Sequence, residues 1–467
     1  MVSDNREKAG ILFVSPWTSL YGAPSRVYRL IKHLNRETFH PVVVLPDKGP
    51  LWDRLQALDV PIRISPIQPW FNLHEDSASA ALSWLADLPE RVQRIMDAVY
   101  HWDIKIVHSS VMSVLEGALA AKLTGRPHIC TGATNHFAYT GRKNIISPAS
   151  VYEMLNSLSH TIVPVSSSVK EALSHFVAPT KLRVIHNGIE TQSFHAHPSH
   201  DSLDPVLPNA ESARAPRVCS IGRVSVEKGF GLLIDAAALV VEAYPDALFS
   251  VFGPFYDKPL YRRLLQQIKR LNLVDNLNFE GPTERVQEEL HATDLLVVSS
   301  EVEGLSLVAL EAMLAGKPVV STRCGGPEDI IVDGATGYLV PLDDPEALAD
   351  AILNVLKDPE RARQMGRNGL ERVRQHFDIR QKTEQYEALY REVLDGWTPE
   401  PAQDKNGEAV LIEAVLETVE KYGGEFYKMG SRFRAMRFLA KVKNKLAYEA
   451  SKAANSLVRK FRKNIPR

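Results

Sequence analysis

Short apolar runs alternate along the chain with longer segments in which apolar residues recur every three or four positions. Such runs are typical of strands that are buried on both faces of a parallel sheet. In the first half of the chain they predict strands at residues 11–14, 41–45, 104–108, 128–131, 161–165 and 182–186. In the second half they predict strands at 218–222, 248–253, 277–281, 295–299 and 318–322. Strands that alternate with helices in this way predict α/β domains built on parallel sheets.

Length and composition agree with two such domains. The chain has 467 residues, of which 45% are hydrophobic, so each half can enclose a core of its own. A formal net charge of −1 gives no reason to expect a nucleic-acid partner. Cys130, Cys219 and Cys324 are widely separated, without the spacing of a zinc site, which favours reduced cysteines in a cytoplasmic protein.

No membrane-crossing or secretory segment is predicted. Residues 1–10 are mostly polar or charged and run directly into the first strand, which is unlike a signal peptide. No apolar stretch approaches the roughly 20 residues that a bilayer-spanning helix needs. We therefore expect a cytoplasmic protein, either free or lying on a membrane surface.

Two glutamates stand where a ligand is expected. The apolar run at 295–298 predicts a buried strand, Glu303 follows its end, and Glu311 falls inside the next predicted helix. Open α/β sheets bind ligands at the carboxyl ends of their strands, beside helix N-termini whose free N–H groups attract phosphate. The alternative is two surface glutamates of an ordinary strand–helix unit.

Two cations are predicted at the corresponding turn after another strand. Gly222, Arg223, Lys228 and Gly229 follow the apolar run at 218–221 and precede a predicted helix. Two fixed cations at a strand end, beside a helix N-terminus, suit an anionic ligand such as a phosphate. Solvated surface cations are the alternative, since most Lys and Arg side chains are exposed.

Residues 300–320 resemble the E-x7-E signature of the retaining glycosyltransferases of family 4. The similarity continues through residues 325–331 and 333–340, and it covers about residues 10 to 395, most strongly after Val218. The resemblance implies an α/β GT-B architecture in which two Rossmann-like parallel-sheet domains face a cleft. It also implies a hexosyl-type transferase that is retaining and metal-independent.

The resemblance implies a division of the chain as well. Residues 1–190 would form an acceptor-side domain, 191–217 a linker, and 218–378 a domain that binds the nucleotide-sugar. Residues 379–396 would form a helix that crosses back onto the first domain. Residues 397–467 remain as a basic helical tail.

By the same resemblance, specific residues acquire roles. Glu311 would hold the ribose hydroxyls of the donor, and Glu303 would face the transferred sugar. Arg223 and Lys228 would contact the donor diphosphate. Backbone groups near the sugar and phosphates would come from Gly222, Gly304, Leu305, Ser306 and Leu307.

The first half departs from the family pattern at two places. Gly22 and Ala23 stand where many members have a glycine pair that approaches the diphosphate from the opposite domain. Many members also have a histidine near the position of Gly132 or Ala133, aimed at the donor sugar. Neither residue can serve, so His108, Asn135 or His136 could substitute, and a structural role is the alternative for each.

The predicted reaction needs neither metal nor cofactor. No two aspartates are separated by a single residue, so the metal clamp of the other main glycosyltransferase fold is missing from the sequence. A P-loop and a G-x-G-x-x-G fingerprint are also missing, which disfavours nucleoside triphosphatases and dehydrogenases. Transfer from a nucleotide-sugar to a glycan or lipid-linked glycan, in cell-surface polysaccharide or glycolipid synthesis, is the predicted function. UDP, GDP and ADP donors all remain open, with UDP- and GDP-sugars favoured.

Two alternatives share the fold: a nucleotide-sugar epimerase and a catalytically silent nucleotide-sugar binder. An epimerase would not carry this glutamate signature. A silent binder would have no reason to retain Arg223, Lys228, Glu303 and Glu311 together. The sequence therefore favours the transferase.

The end of the chain is strongly basic. Residues 428–467 contain thirteen Lys and Arg and one acidic residue, Glu449. Apolar residues recur there at steps of three or four, at Phe433, Met436, Leu439, Val442, Leu446, Ala450, Ala453, Leu457 and Phe461. A basic amphipathic helix suits an anionic membrane surface, which would place a lipid-linked acceptor at the inner face of the cell membrane. A helix packed on the body of the protein, or a coiled-coil seam, is the alternative.

Overall fold

The computed structural model describes residues 8–70, 78–133, 148–192 and 215–398. The strands are β1 Ala9–Val14, β2 Phe39–Leu45, β3 Ile62–Ile64, β4 Ile104–Ser109, β5 His128–Gly132, β6 Thr161–Pro164, β7 Arg217–Ile221, β8 Leu248–Phe252, β9 Leu277–Gly281, β10 Leu295–Val298, β11 Val319–Thr322 and β12 Gly337–Val340. The helices are α1 Ala23–His33, α2 Pro50–Gln56, α3 Ala78–His101, α4 Glu116–Leu123, α5 Pro148–Leu158, α6 Ser167–Ser174, α7 Phe230–Ala243, α8 Lys258–Arg270, α9 Val286–Ala292, α10 Leu307–Leu314, α11 Pro327–Ile330, α12 Pro345–Lys357, α13 Pro359–His376 and α14 Ile379–Asp395.

These elements form two parallel sheets of six strands each. The first has the order β3-β2-β1-β4-β5-β6 and the second β12-β11-β10-β7-β8-β9. In each sheet the strand that comes first along the chain, β1 or β7, is central, and the strand order runs in opposite directions on its two sides. This doubly wound arrangement leaves a crevice at the carboxyl ends of the strands. The predicted fold class, two Rossmann-like parallel-sheet domains, is confirmed.

The central strands are apolar because helices cover both of their faces. Every residue of β10 and β11 is buried, and β1 is buried throughout after its first residue. Parallel strands are joined by crossover helices that pack on the sheet, so continuous apolar runs are what the fold requires. This is why those runs were visible in the sequence.

The last described helix, α14, returns to the first domain. Tyr386, Leu389, Tyr390 and Val393 pack in the same apolar cluster as β1, α1 and β2. The chain leaves the first domain beside this return, where Ile189 forms a parallel bridge with Asp378. Two segments of chain therefore pass between the domains at one place.

One predicted strand is wrong and two short strands were missed. Residues 182–186 form no regular strand: Leu182 makes an isolated bridge with Ile162, and Arg183 and Ile185 donate backbone N–H groups to the carbonyls of Ile162 and Pro164 on β6. Strands β3 and β12 lie at sheet edges and have only three and four residues, too few to give a clear apolar run. The second domain's first strand begins at Arg217, one residue before its prediction.

Within the ranges given above, no helix is long and apolar enough to cross a membrane. The basic tail at 428–467, together with Asn135 and His136, lies outside the described residues.

Candidate functional site in the cleft between the domains

The turn after β7 places a lysine against a carboxylate. The chain leaves β7 through Gly222, and a Cβ there would lie 3.3 Å from the Lys228 side chain, so the lysine stem runs over this glycine. Lys228 Nζ then reaches Glu303 Oε1 at 2.5 Å, and the hydroxyl of Ser300 donates to the same oxygen at 2.9 Å. Glu303 follows β10, the strand next to β7, so a cation and a carboxylate meet at adjoining strand ends.

Gly229 allows this close approach of the two turns. It has φ 59°, in the left-handed region, and a Cβ there would lie 2.0 Å from the carbonyl oxygen of Ser299. The Ser299 hydroxyl in turn donates to the Lys228 carbonyl at 3.0 Å. A larger residue at position 229 would push Lys228 away from Glu303.

Arg223 lies in the same turn but pairs with its own neighbour. Its Nη2 and Nε donate to Glu227 Oε1 at 2.6 and 3.1 Å, and the arginine side chain is 45% exposed. Burial raises the pKa of the Glu227 carboxyl, but the Arg223 guanidinium and hydrogen bonds outweigh burial and the pKa is lowered. Glu227 therefore stays ionised and holds Arg223 at the rim of the cleft.

Helix α10 begins inside the cleft with a bare N-terminus. Ser306 is its capping residue, but its side chain accepts no hydrogen bond from the backbone N–H groups of the first turn. The Ser306 hydroxyl is buried and has no partner among the described residues. Leu305 packs in the core and Leu307 opens the helix, so backbone N–H groups rather than side chains line this end. Such an end attracts negative charge.

Helix α1 presents a similar end from the other domain. Gly22, its capping residue, has φ 63° and open space around the position of a Cβ. No side chain caps the helix, and Ala23 is its first residue. The predicted Gly22-Ala23 loop thus brings backbone to the cleft, with the positive φ that favours glycine.

Glu311 faces the first domain across the cleft. Arg29, from α1, donates to Glu311 Oε1 at 3.3 Å, and 21% of the Glu311 side chain is exposed. Burial raises the pKa of Glu311, and Arg29 opposes that rise. The sequence carried no signal for Arg29, because the two residues are 282 positions apart.

The two domains touch backbone to backbone beside Glu303. A Cβ on Gly304 would lie 1.8 Å from the carbonyl oxygen of Ala133, which follows β5 of the first domain. Position 304 therefore tolerates only glycine in this arrangement. The region where the family usually has a histidine thus lies directly against the turn that carries Glu303.

A second set of contacts joins the domains near Ile189, where the chain leaves the first domain. Asp329 Oδ2 accepts from the Ser167 backbone N–H at 2.6 Å and lies 2.9 Å from His186 Nε2. Burial raises the pKa of Asp329, but its hydrogen bonds with His186 and Ser167 prevail and lower it. These residues were not predicted, although Asp329 lies in the conspicuous run at 325–331.

His108 is the predicted substrate contact that the structure contradicts. Its side chain is buried, with Nδ1 2.7 Å from the Tyr390 hydroxyl and Nε2 2.8 Å from the Thr131 hydroxyl. Burial lowers its pKa to about 3, helped by the nearby positive charge of Arg26. Both ring nitrogens are occupied below the cleft, so His108 fixes α14 to the sheet instead of meeting a ligand.

No group of three or more His, Cys, Asp or Glu side chains that could hold a metal ion occurs among residues 8–70, 78–133, 148–192 and 215–398.

Two family models match the chain, one in each domain. The model described as "Glycosyl transferases group 1" matches residues 208–372, and "Glycosyltransferase Family 4" matches residues 21–193. The first match contains Arg223, Lys228, Glu303 and Glu311, and the second contains Gly22.

Curated relatives agree with these matches. The alpha-maltose-1-phosphate synthase of Mycolicibacterium smegmatis is 30% identical over 312 residues, which are 62% of this chain and 79% of the relative. The N-acetyl-alpha-D-glucosaminyl L-malate synthase of Bacillus anthracis is 38% identical over 175 residues, 38% of this chain. That match spans 43% of the relative, less than half of its length.

Solved structures share the fold. A crystal structure of Anabaena HepE in complex with UDP-glucose superposes with a TM-score of 0.67 at 22% identity, covering 82% of this chain and 99% of that one. At this identity the likeness concerns the fold alone.

The contact at Gly304 leads to a test of cleft closure. We expect Gly304→Ala to hold the domains apart, because its methyl group cannot share space with the Ala133 carbonyl. X-ray scattering should give a larger radius of gyration than wild type, while thermal unfolding of both domains stays close to wild type. Gly231→Ala, whose methyl would lie an ordinary 3.5 Å from Gln267, is the control. A compact Gly304→Ala protein would show that the backbones need not approach in solution.

Proposed function

Because the chain belongs to glycosyltransferase family 4, we propose that it transfers a sugar from a nucleotide-sugar donor to a hydroxyl of a glycan or lipid-linked acceptor. The observation that carries this proposal is the convergence in one cleft of Lys228, Glu303 and Glu311 with the bare N-termini of α1 and α10. Cations and helix N-termini suit a diphosphate, and carboxylates suit sugar hydroxyls.

The donor would lie with its nucleoside on Glu311 and its sugar beside Glu303. Glu311 would accept hydrogen bonds from the ribose hydroxyls. Lys228, together with Arg223 released from Glu227, would neutralise the diphosphate. UDP-glucose is bound by a protein of the same fold, which supports a UDP-sugar as the first donor to test.

The chemistry follows from stabilising the leaving group. As the bond between the anomeric carbon and the diphosphate oxygen breaks, its electron pair moves onto the diphosphate, where Lys228 and Arg223 stabilise the charge. The acceptor hydroxyl attacks from the face that the diphosphate leaves, and its proton passes to the departing phosphate oxygen. The configuration is retained, and Glu303 offsets the positive charge that develops on the sugar. Closure at Gly304 and Ala133 would keep water away from the donor.

The alternatives remain distinguishable by product. An epimerase of this fold would invert C2 of the donor sugar without an acceptor, and a silent binder would leave the donor intact. A transferase gives transfer, or slow hydrolysis when no acceptor is present. Membership of a family whose curated relatives are synthases favours the transferase.

Site assignment is tested by two substitutions. We expect Lys228→Ala and Glu311→Ala each to cost roughly 1.5–3 kcal/mol in donor binding or turnover, the contribution of a hydrogen bond to a charged group. Binding is measured by calorimetry with UDP, GDP and ADP and their sugars, and turnover by release of the nucleoside diphosphate. Arg363→Ala on α13, which pairs with the exposed Glu360, is the matched cation control. Wild-type kinetics in both site variants would refute the assignment.

We propose that no metal ion takes part, because Lys228 and Arg223 supply the positive charge that a metal would. Turnover should therefore be unchanged after dialysis against EDTA and should not rise when Mg²⁺ or Mn²⁺ is restored. An absolute need for either ion would overturn this mechanism.

We also propose that residues 428–467 bind an anionic membrane at the cytoplasmic face and bring the enzyme to a lipid-linked acceptor. The support is the sequence: thirteen basic residues with apolar residues at helical spacing. Each basic residue near an anionic surface contributes about 1 kcal/mol. Near the end of the described residues, the indole N–H of Trp397 donates to the carbonyl of Gly125 in the first domain.

Truncation after Trp397 tests the membrane proposal. The shortened protein should fold and bind nucleotide as wild type, since both sheets and α14 are complete, but should not sediment with anionic vesicles. Vesicle binding by the full-length protein should weaken as salt rises, because charges are screened within about 8–10 Å. If the full-length protein ignores anionic vesicles at low salt and truncation unfolds it, the tail is a packed structural helix.

A further inference from the structure

One face of α1 carries cations toward the second domain and toward the segment that leaves the first domain. Lys32 pairs with Glu190 at 2.9 Å, in the segment that leaves the first domain. Arg29, one turn earlier, reaches across the cleft to Glu311 on α10. These residues lie three apart and so share a helix face. Only the Arg29 contact involves a carboxylate assigned to the donor.

The two oxygens of Glu311 differ in their surroundings. Oε1 accepts from Arg29 Nη2 at 3.3 Å. Oε2 has no hydrogen bond within the described residues, and it is not among their buried unpartnered atoms, so it faces the open part of the cleft. Arg29 Nη1, by contrast, is buried without a partner. The arginine thus fixes one side of the carboxylate and leaves the other side available.

We propose that Arg29 is a positioning residue for the donor: it holds Glu311 through Oε1 so that Oε2 meets the ribose hydroxyls, and it does so only when the domains are closed. The inference rests on the proposed function. It assigns to the acceptor-side domain a part in nucleotide recognition, because α1 supplies the arginine and α10 the carboxylate. Ribose recognition and domain closure then support each other.

Two other interpretations fit the geometry less well. If the donor had to displace Arg29, the pair should occupy both carboxylate oxygens in a short fork, the strong geometry for arginine. Here a single bond of 3.3 Å leaves Oε2 open. If Arg29 only latched the domains, it would add little to the closure already made at Gly304 and by Asp329 with Ser167 and His186.

The charge on Glu311 gives an independent readout. An ionised carboxylate accepts hydrogen bonds from hydroxyls more strongly than a protonated one, and burial raises the pKa of Glu311 while Arg29 opposes the rise. Arg29 is the charged group acting on it from α1. Among the described residues, no ionised side chain of α9, α11 or α13, which pack against α10, forms an ion pair with Glu311. Without Arg29 the pKa of Glu311 rises further. As the pH is lowered, an Arg29 variant should therefore begin to lose nucleotide affinity at a higher pH than wild type.

The experiment compares nucleotides with and without ribose hydroxyls. Calorimetry with UDP and 2′,3′-dideoxy-UDP, and with the corresponding GDP pair, is run on wild type, Arg29→Gln, Arg29→Lys, Glu311→Gln and Lys32→Gln. We expect Arg29→Gln to weaken binding of the ribonucleotide roughly ten-fold and that of the dideoxynucleotide much less. Arg29→Lys should restore part of the difference. Lys32→Gln, which loses an ion pair from the same helix face, should match wild type.

The same titrations repeated from pH 8 to pH 5 should show the earlier loss of affinity in Arg29→Gln and no such shift in the Arg29→Gln/Glu311→Gln double variant. Tighter binding in Arg29→Gln would mean that Arg29 blocks the donor, and equal weakening of both nucleotides would mean that it only latches the domains. Either result overturns the inference. If Glu311→Gln leaves the ribonucleotide preference intact, or wild type binds neither UDP nor GDP, the proposed donor site itself fails.

Discussion

The backbone contact between Gly304 and Ala133 is the constraint on which the cleft depends. A single methyl group would not fit between them, so the turn that carries Glu303 lies directly on the end of β5. With that point fixed, α1 comes opposite α10 and α6 comes opposite α11. The pairings of Arg29 with Glu311 and of Ser167 with Asp329 are consequences of this approach. Residues from two sheets thereby act as one site.

Charges inside the closed cleft neutralise one another before any ligand arrives. Lys228 pairs with Glu303, Arg223 with Glu227, and Arg29 with Glu311. Lys228 and Arg29 are largely shielded from solvent, so their carboxylate partners offset the desolvation cost of burying these charges. A nucleotide-sugar brings negative phosphates and neutral hydroxyls together. Binding it would exchange the carboxylate partners of the cations for phosphates, and the cation partners of the carboxylates for hydroxyls.

The sequence was informative where the signal is local. Apolar runs located nearly every central strand, because burial on both faces requires them. Glu303 and Lys228 could each be placed at a strand end. Their 2.5 Å contact could not be foreseen, since it depends on which strands are neighbours in the sheet. Arg29 was missed because its partner lies in the other domain, 282 positions away in the chain. Short edge strands such as β3 escaped notice because one side of them faces solvent.

His108 shows why a residue type at a strand end does not establish a ligand contact. It stands on β4 beside the expected site, yet its ring points into the core and joins β5 to α14 through Thr131 and Tyr390. A pKa of about 3 keeps the ring neutral throughout the physiological range, so this connection does not respond to pH. The returning helix is therefore fixed to the first domain by a polar network as well as by its apolar face. Relative motion of the domains must then be taken up where the chain crosses between them, near Ile189 and Asp378, and not by detachment of α14.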